Sequence, residues 1–91
     1  KMTRYFEIYV PGKNGYSLYV KSDNVPFPQD DLSEGSRELD CISDEQTIIE
    51  MAVKAKVLDP NDADIVRYVC EMDLNTVQNE RGIASDKLEK I

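Results

Sequence analysis

The sequence predicts an α+β fold, an N-terminal β-hairpin with room for a third short strand, packed against three to four short helices. Three observations lead there. Residues 3–21 alternate with a period of two around an Asn-Gly pair. Residues 43–57 carry apolar side chains at helical spacing behind a capping sequence, and Asp59-Pro60 opens a further helix. A chain of 91 residues supports one modest core, so residues 1–91 are read as a single acidic domain.

In the first strand Phe6, Ile8 and Val10 oppose Tyr5, Glu7 and Tyr9, and in the second Tyr16, Leu18 and Val20 oppose Ser17, Tyr19 and Lys21. Asn14-Gly15 supplies the positive φ angles that tight hairpin turns need. Pro26 and Pro28 deny backbone donors and make residues 22–31 a loop. Glu38-Leu39-Asp40-Cys41 alternates over a short span and suits a third strand edged with carboxylates. Ser43-Asp44-Glu45-Gln46 reads as a capping box that opens a helix to about Val57, with Ile48, Ile49, Ala52 and Val53 inward. Asp59 as N-cap and Pro60 at the first helical position start a second helix to about Met72, burying Ile65, Val66, Val69 and Cys70 or Met72. A shorter helix with Leu74 and Val77 ends near Gly82, and Ser85 caps a last turn bearing Leu88 and Ile91.

Charge is segregated along this chain. Residues 22–53 hold nine carboxylates against Arg37, a formal −8, while the whole chain is −7. Residues 59–80 add −5, and the remaining segments, 1–21, 54–58 and 81–91, are net basic. An apolar content of 41% with five Tyr and two Phe is too high for a disordered acidic tail. Cys41 and Cys70, without a Cys-x-x-Cys spacing or any His, read as buried small residues in a reducing compartment.

Catalysis finds little support, because a chain without His has no evident base for a cysteine nucleophile. The run Asp59–Asp64 fails as a calcium loop: Ala63 stands at a ligand position, Asp64 where the turn glycine belongs, and Cys70 where a bidentate Glu belongs. No enzyme activity, cofactor or metal is therefore expected. Tyr5, Tyr9 and Tyr19 share one hairpin face beside Arg4 and Lys21, but a chain of net charge −7 repels phosphate, so direct nucleic-acid binding is not expected. That face is read as a homodimer interface. The C-terminal helices offer Lys87 and Lys90 beside Asp86 and Glu89, which cancels phosphate attraction for a helix-turn-helix reader.

The carboxylates form the candidate partner-binding set: Asp23, Asp30, Asp31, Glu34, Glu38, Asp40, Asp44, Glu45, Glu50, Asp59, Asp62, Asp64, Glu71 and Asp73. Rows of acids at helical spacing approximate the phosphate repeat of duplex DNA, about one charge per 3.4 Å of axis on each strand. The bland alternative is a solvated surface. A small acidic chain with Tyr-Phe-Glu-Ile-Tyr-Val and Tyr-Ser-Leu-Tyr-Val in a basic hairpin, followed by acid-capped helices, resembles the phage DNA-mimic anti-restriction proteins, the Arn-type inhibitors of the McrBC endonuclease. The resemblance lies in length and charge, not in a diagnostic motif. It implies a dimeric inhibitor that blocks a basic DNA-binding host protein such as a restriction endonuclease. Small anti-CRISPR proteins share this character. The competing reading is a protein–protein adaptor that uses the tyrosine face. No apolar run approaches the ~18 residues of a membrane span, so the expected location is the cytoplasm, that of the host cell if the protein is phage-encoded.

Overall fold

A computed structural model describes residues 2–26 and 37–91, with backbone alone for residues 37–44. Strands β1 (Arg4–Val10) and β2 (Tyr16–Ser22) pair antiparallel from Arg4↔Ser22 to Val10↔Tyr16. This is the hairpin that the alternation predicts. Its positive φ falls on Gly12, at 143°, and not on the Asn14-Gly15 pair. Helix α1 runs Arg37–Lys54 and α2 is the single turn Pro60–Ala63. Strand β3 (Tyr68–Met72) pairs antiparallel with the other edge of β1, and β4 (Glu89–Lys90) lies parallel to β2. The sheet order is β3-β1-β2-β4, and the architecture is α+β.

Three elements differ from the sequence expectation. Residues 38–41 belong to α1 and not to a third strand, and Ser43–Gln46 lies inside that helix, not at its start. A four-residue alternation is too short to separate a period of 2 from one of 3.6, and the three-residue step from Leu39 to Ile42 already continues the helical pattern. The helix opened by Asp59-Pro60 stops at Ala63 instead of reaching Met72. Beyond it Val66 leads into β3, which opens on the aromatic Tyr68 and the β-branched Val69 and whose ladder with β1 satisfies backbone groups a helix would have satisfied locally. At the C-terminus Ser85 is the first residue of a 3-10 turn, Ser85–Lys87, and does not cap it; the chain then pairs with β2, with Ile91 N–H donating to Lys21 carbonyl at 2.9 Å.

The sheet has two unequal faces. On one, Phe6, Ile8, Val10 and Val20 pack with Val25, Ile48, Ala52 and Leu58, the main core. Ile48 and Ala52 are the inward positions expected of α1, and Ile49 and Val53 flank them. On the other face, Met72, Val77 and Leu88 form a small second core with Tyr5, Tyr19 and Ile83 packed against it. Its walls come from a short helical stretch that begins at Leu74 and continues as a π-type turn, Thr76–Glu80. Asp73 starts the stretch by accepting the Thr76 N–H at 2.7 Å, a bond that holds its carboxyl below the ordinary value. Gly82, at φ 71°, ends it.

At the end of α1 the Val57 N–H donates to the Ala52 carbonyl at 3.1 Å and the Lys56 N–H to the Val53 carbonyl at 2.9 Å. That pair is the Schellman pattern, which needs a left-handed residue at the position that Lys56 fills with φ 64°. It turns the chain so that Leu58 enters the core. Among the described residues no helix is long and apolar enough to cross a membrane.

Candidate functional site

The acidic residues fall into three groups. Asp30, Asp31 and Glu34 lie outside the described residues, and Glu38, Asp40 and Asp44 lie in α1 where only the backbone is described. A second group serves the fold. Asp23 accepts Thr3 Oγ1 at 2.6 Å and pairs with Lys90 Nζ at 2.5 Å. Glu71 forms a two-pronged pair with Arg4, at 2.9 Å from Nε and 2.7 Å from the second guanidinium nitrogen. Asp59 caps α2 by accepting the Asn61 N–H at 2.8 Å, as its place before Pro60 predicts. Asp62 accepts the Tyr16 hydroxyl, and Asp73 caps the stretch after β3.

The third group is Glu45, Glu50 and Asp64, which have no cationic partner among the described residues. Glu50 and Asp64 both line an open groove between α1 and α2, together with Ile49, Val53, Pro60 and Ala63. Gln46 and Lys54 complete its rim, and Gln46 donates to Glu50 at 3.2 Å. Asp59 stands exposed at the start of α2. The two acidic segments of the sequence thus meet where α1 packs on α2.

The tyrosine face divides in two. Cross-strand partners share a face, so the pairs Tyr5↔Lys21, Glu7↔Tyr19 and Tyr9↔Ser17 lie together with Tyr68, Cys70 and Met72 of β3. Tyr5 and Tyr19 pack against Met72, Val77 and Leu88 of their own chain. Tyr9 stays clear of that cluster and stacks on Tyr68, ring centroids 5.2 Å apart and planes 19° from parallel. Between the halves sits Glu7, only 7% exposed. Ser17 Oγ and the Tyr19 hydroxyl donate to its Oε2 at 2.7 and 3.2 Å, and Arg81 lies 3.6 Å from Oε1. Burial first, then the Glu7 charge, pushes the Tyr19 phenol above its ordinary value.

Comparison with protein-family models, characterised proteins and solved structures matches none of them. Sequence reasoning missed Glu7, Tyr68 and Arg4. The hairpin register already places Glu7 opposite Tyr19, so its enclosure was within reach. Tyr68 was hidden by a helical reading of its segment. Arg4 is 4% exposed on the α1 side of the sheet, with its guanidinium 5.3 Å from the centre of the Phe6 ring, and not on the tyrosine face. Cys70, expected to be buried, is exposed with a free thiol, because it sits on an edge strand and not on an inward helix face.

Proposed function

We propose that the chain is a non-catalytic inhibitor that presents carboxylates in place of DNA phosphates to a basic, nucleic-acid-binding protein of the cytoplasm, a restriction endonuclease being the type. The observation that carries this reading is the division of labour among the acids. Glu71 of β3, Glu7 of β1 and Asp23 just beyond β2 each have a cation of their own chain within ion-pair distance: Arg4, Arg81 and Lys90. Glu50 and Asp64, on the helical side, have no such cation among the described residues. Uncompensated like charge costs stability through repulsion, and it steers a cationic surface to one side of the molecule. The dimer expected from the tyrosine face is not needed by this reading, since Tyr5 and Tyr19 are engaged within their own chain.

The test begins with capture of the partner, followed by binding measured across a salt series with duplex DNA as competitor. If about four carboxylates take part, affinity falls on the order of 100-fold between 50 and 200 mM salt, and DNA displaces the chain. Glu50→Gln combined with Asp64→Asn keeps shape and removes charge, and it weakens binding and flattens the salt slope. A partner bound equally by that variant, with no competition from DNA, refutes the reading.

A further inference from the structure

We propose that the half of the sheet face where Tyr9 and Tyr68 stack beside the buried Glu7 is a docking site for an arginine side chain of a protein partner. The proposal stands apart from the acidic helical side and survives or fails without it. Three observations converge. Tyr68 remains 42% exposed although Tyr9 is stacked on one face of its ring. The ring lies on β3, an edge strand of the sheet, where a second chain can approach it. Glu7 is paired across the strands with Cys70, which makes it a diagonal neighbour of Tyr68, at the ~7–8 Å that long side chains bridge.

The chemistry of Glu7 selects the ligand. Its side chain is 9% exposed, and its Oε2 takes both hydroxyl donors. Among the described residues Oε1 receives no hydrogen bond, and only Arg81 approaches it, at 3.6 Å and from a side chain 37% exposed. A buried carboxylate oxygen with spare acceptor capacity favours a charged donor. A guanidinium stacks on an aromatic face and donates along its edge at the same time, which an ammonium does not. Arg81 shows that the oxygen already accommodates a guanidinium from one side. A net charge of −7 attracts a cationic partner and repels a second copy of this chain, which sets the partner's arginine above self-association as the occupant.

The probe is a capped Gly-Gly-Arg-Gly-Gly peptide, titrated into the isotope-labelled protein and followed by nuclear magnetic resonance, with the citrulline peptide as a neutral isostere. The expected result is saturable shifts of the Tyr68 and Tyr9 ring protons and an upfield shift of the arginine side-chain protons, none of it with citrulline. Tyr68→Ser, a change at an exposed position, weakens binding about two- to fivefold, the size of an exposed cation–π contact. Glu50→Gln with Asp64→Asn leaves these shifts in place, which separates this site from the acidic side. Equal response to citrulline, shifts confined to the acidic side, or a Tyr68→Ser variant that binds like the parent each overturns the proposal. So does a concentration-dependent shift of Tyr68 without peptide, which would give the face to a second copy.

Discussion

The hydroxyl of Tyr16, at the start of β2, donates a 2.5 Å hydrogen bond to Oδ2 of Asp62 in α2, joining the hairpin to a helical turn 46 residues away. The bond, with burial and the charges of Asp62 and Asp59 behind it, pushes the Tyr16 phenol up to about 12. A phenol held above its unfolded value of 10.0 contributes stability that is whole below pH 10 and disappears as pH rises toward 12. Tyr16→Phe should therefore remove the highest-pH tyrosine titration and flatten the alkaline limb of the stability curve. Because the pair is solvent-screened, the loss at neutral pH should be only about 0.5–1 kcal/mol. Ring-proton titration combined with urea melts at several pH values checks both.

Arg4 holds together the start of β1, the end of β3 and the chain beyond β2. Besides Glu71 it donates to the carbonyls of Val25 and Pro26. Arg4→Ala leaves these acceptors without their donor and should cost about 2–3 kcal/mol, below the ~3–5 kcal/mol of a fully buried broken pair because Glu71 is half exposed. Arg4→Lys should recover little, since one ammonium cannot serve both carboxylate oxygens and two carbonyls. Urea denaturation of both variants measures the difference.

Lys56 occupies the left-handed position of the α1 terminus, where a side chain costs ~1–2 kcal/mol relative to glycine. Lys56→Gly should raise stability by about 0.5–1 kcal/mol, part of the relief being lost to the freer unfolded chain. A rise in the urea midpoint at unchanged slope is the expected outcome; a fall would mean that the lysine side chain contributes more than its strain costs.

Replacing Asp30, Asp31, Glu34 and Glu38 together by Asn or Gln reduces the net charge from −7 to −3. If the acidic segment stands in for phosphate, inhibition should vanish while thermal stability holds or rises, because like-charge repulsion is relieved. A DNA-cleavage assay with the captured partner, run beside a thermal melt, reads both effects. Loss of inhibition with loss of folding would not count in favour, and full inhibition by the folded variant would end the mimic reading for this segment.

What the chain declares locally is the hairpin, the apolar stripe of Ile48, Ile49, Ala52 and Val53 on α1, the Asp59-Pro60 helix start and the segregation of charge. Each rests on neighbours a few residues apart, where side-chain period and capping chemistry act without the rest of the fold. β3 and β4 needed the tertiary structure. Their residues are short and weakly patterned, and their hydrogen bonds go to β1, some 60 residues earlier, and to β2. The same dependence hid the candidate docking face: Tyr68 meets Tyr9, and Arg81 meets Glu7, only once the edge of β1 has been paired and the chain after Met72 has folded back across the sheet. Backbone donors and acceptors left open on β1 are satisfied by whichever segment the whole chain brings alongside, and no local period specifies that segment.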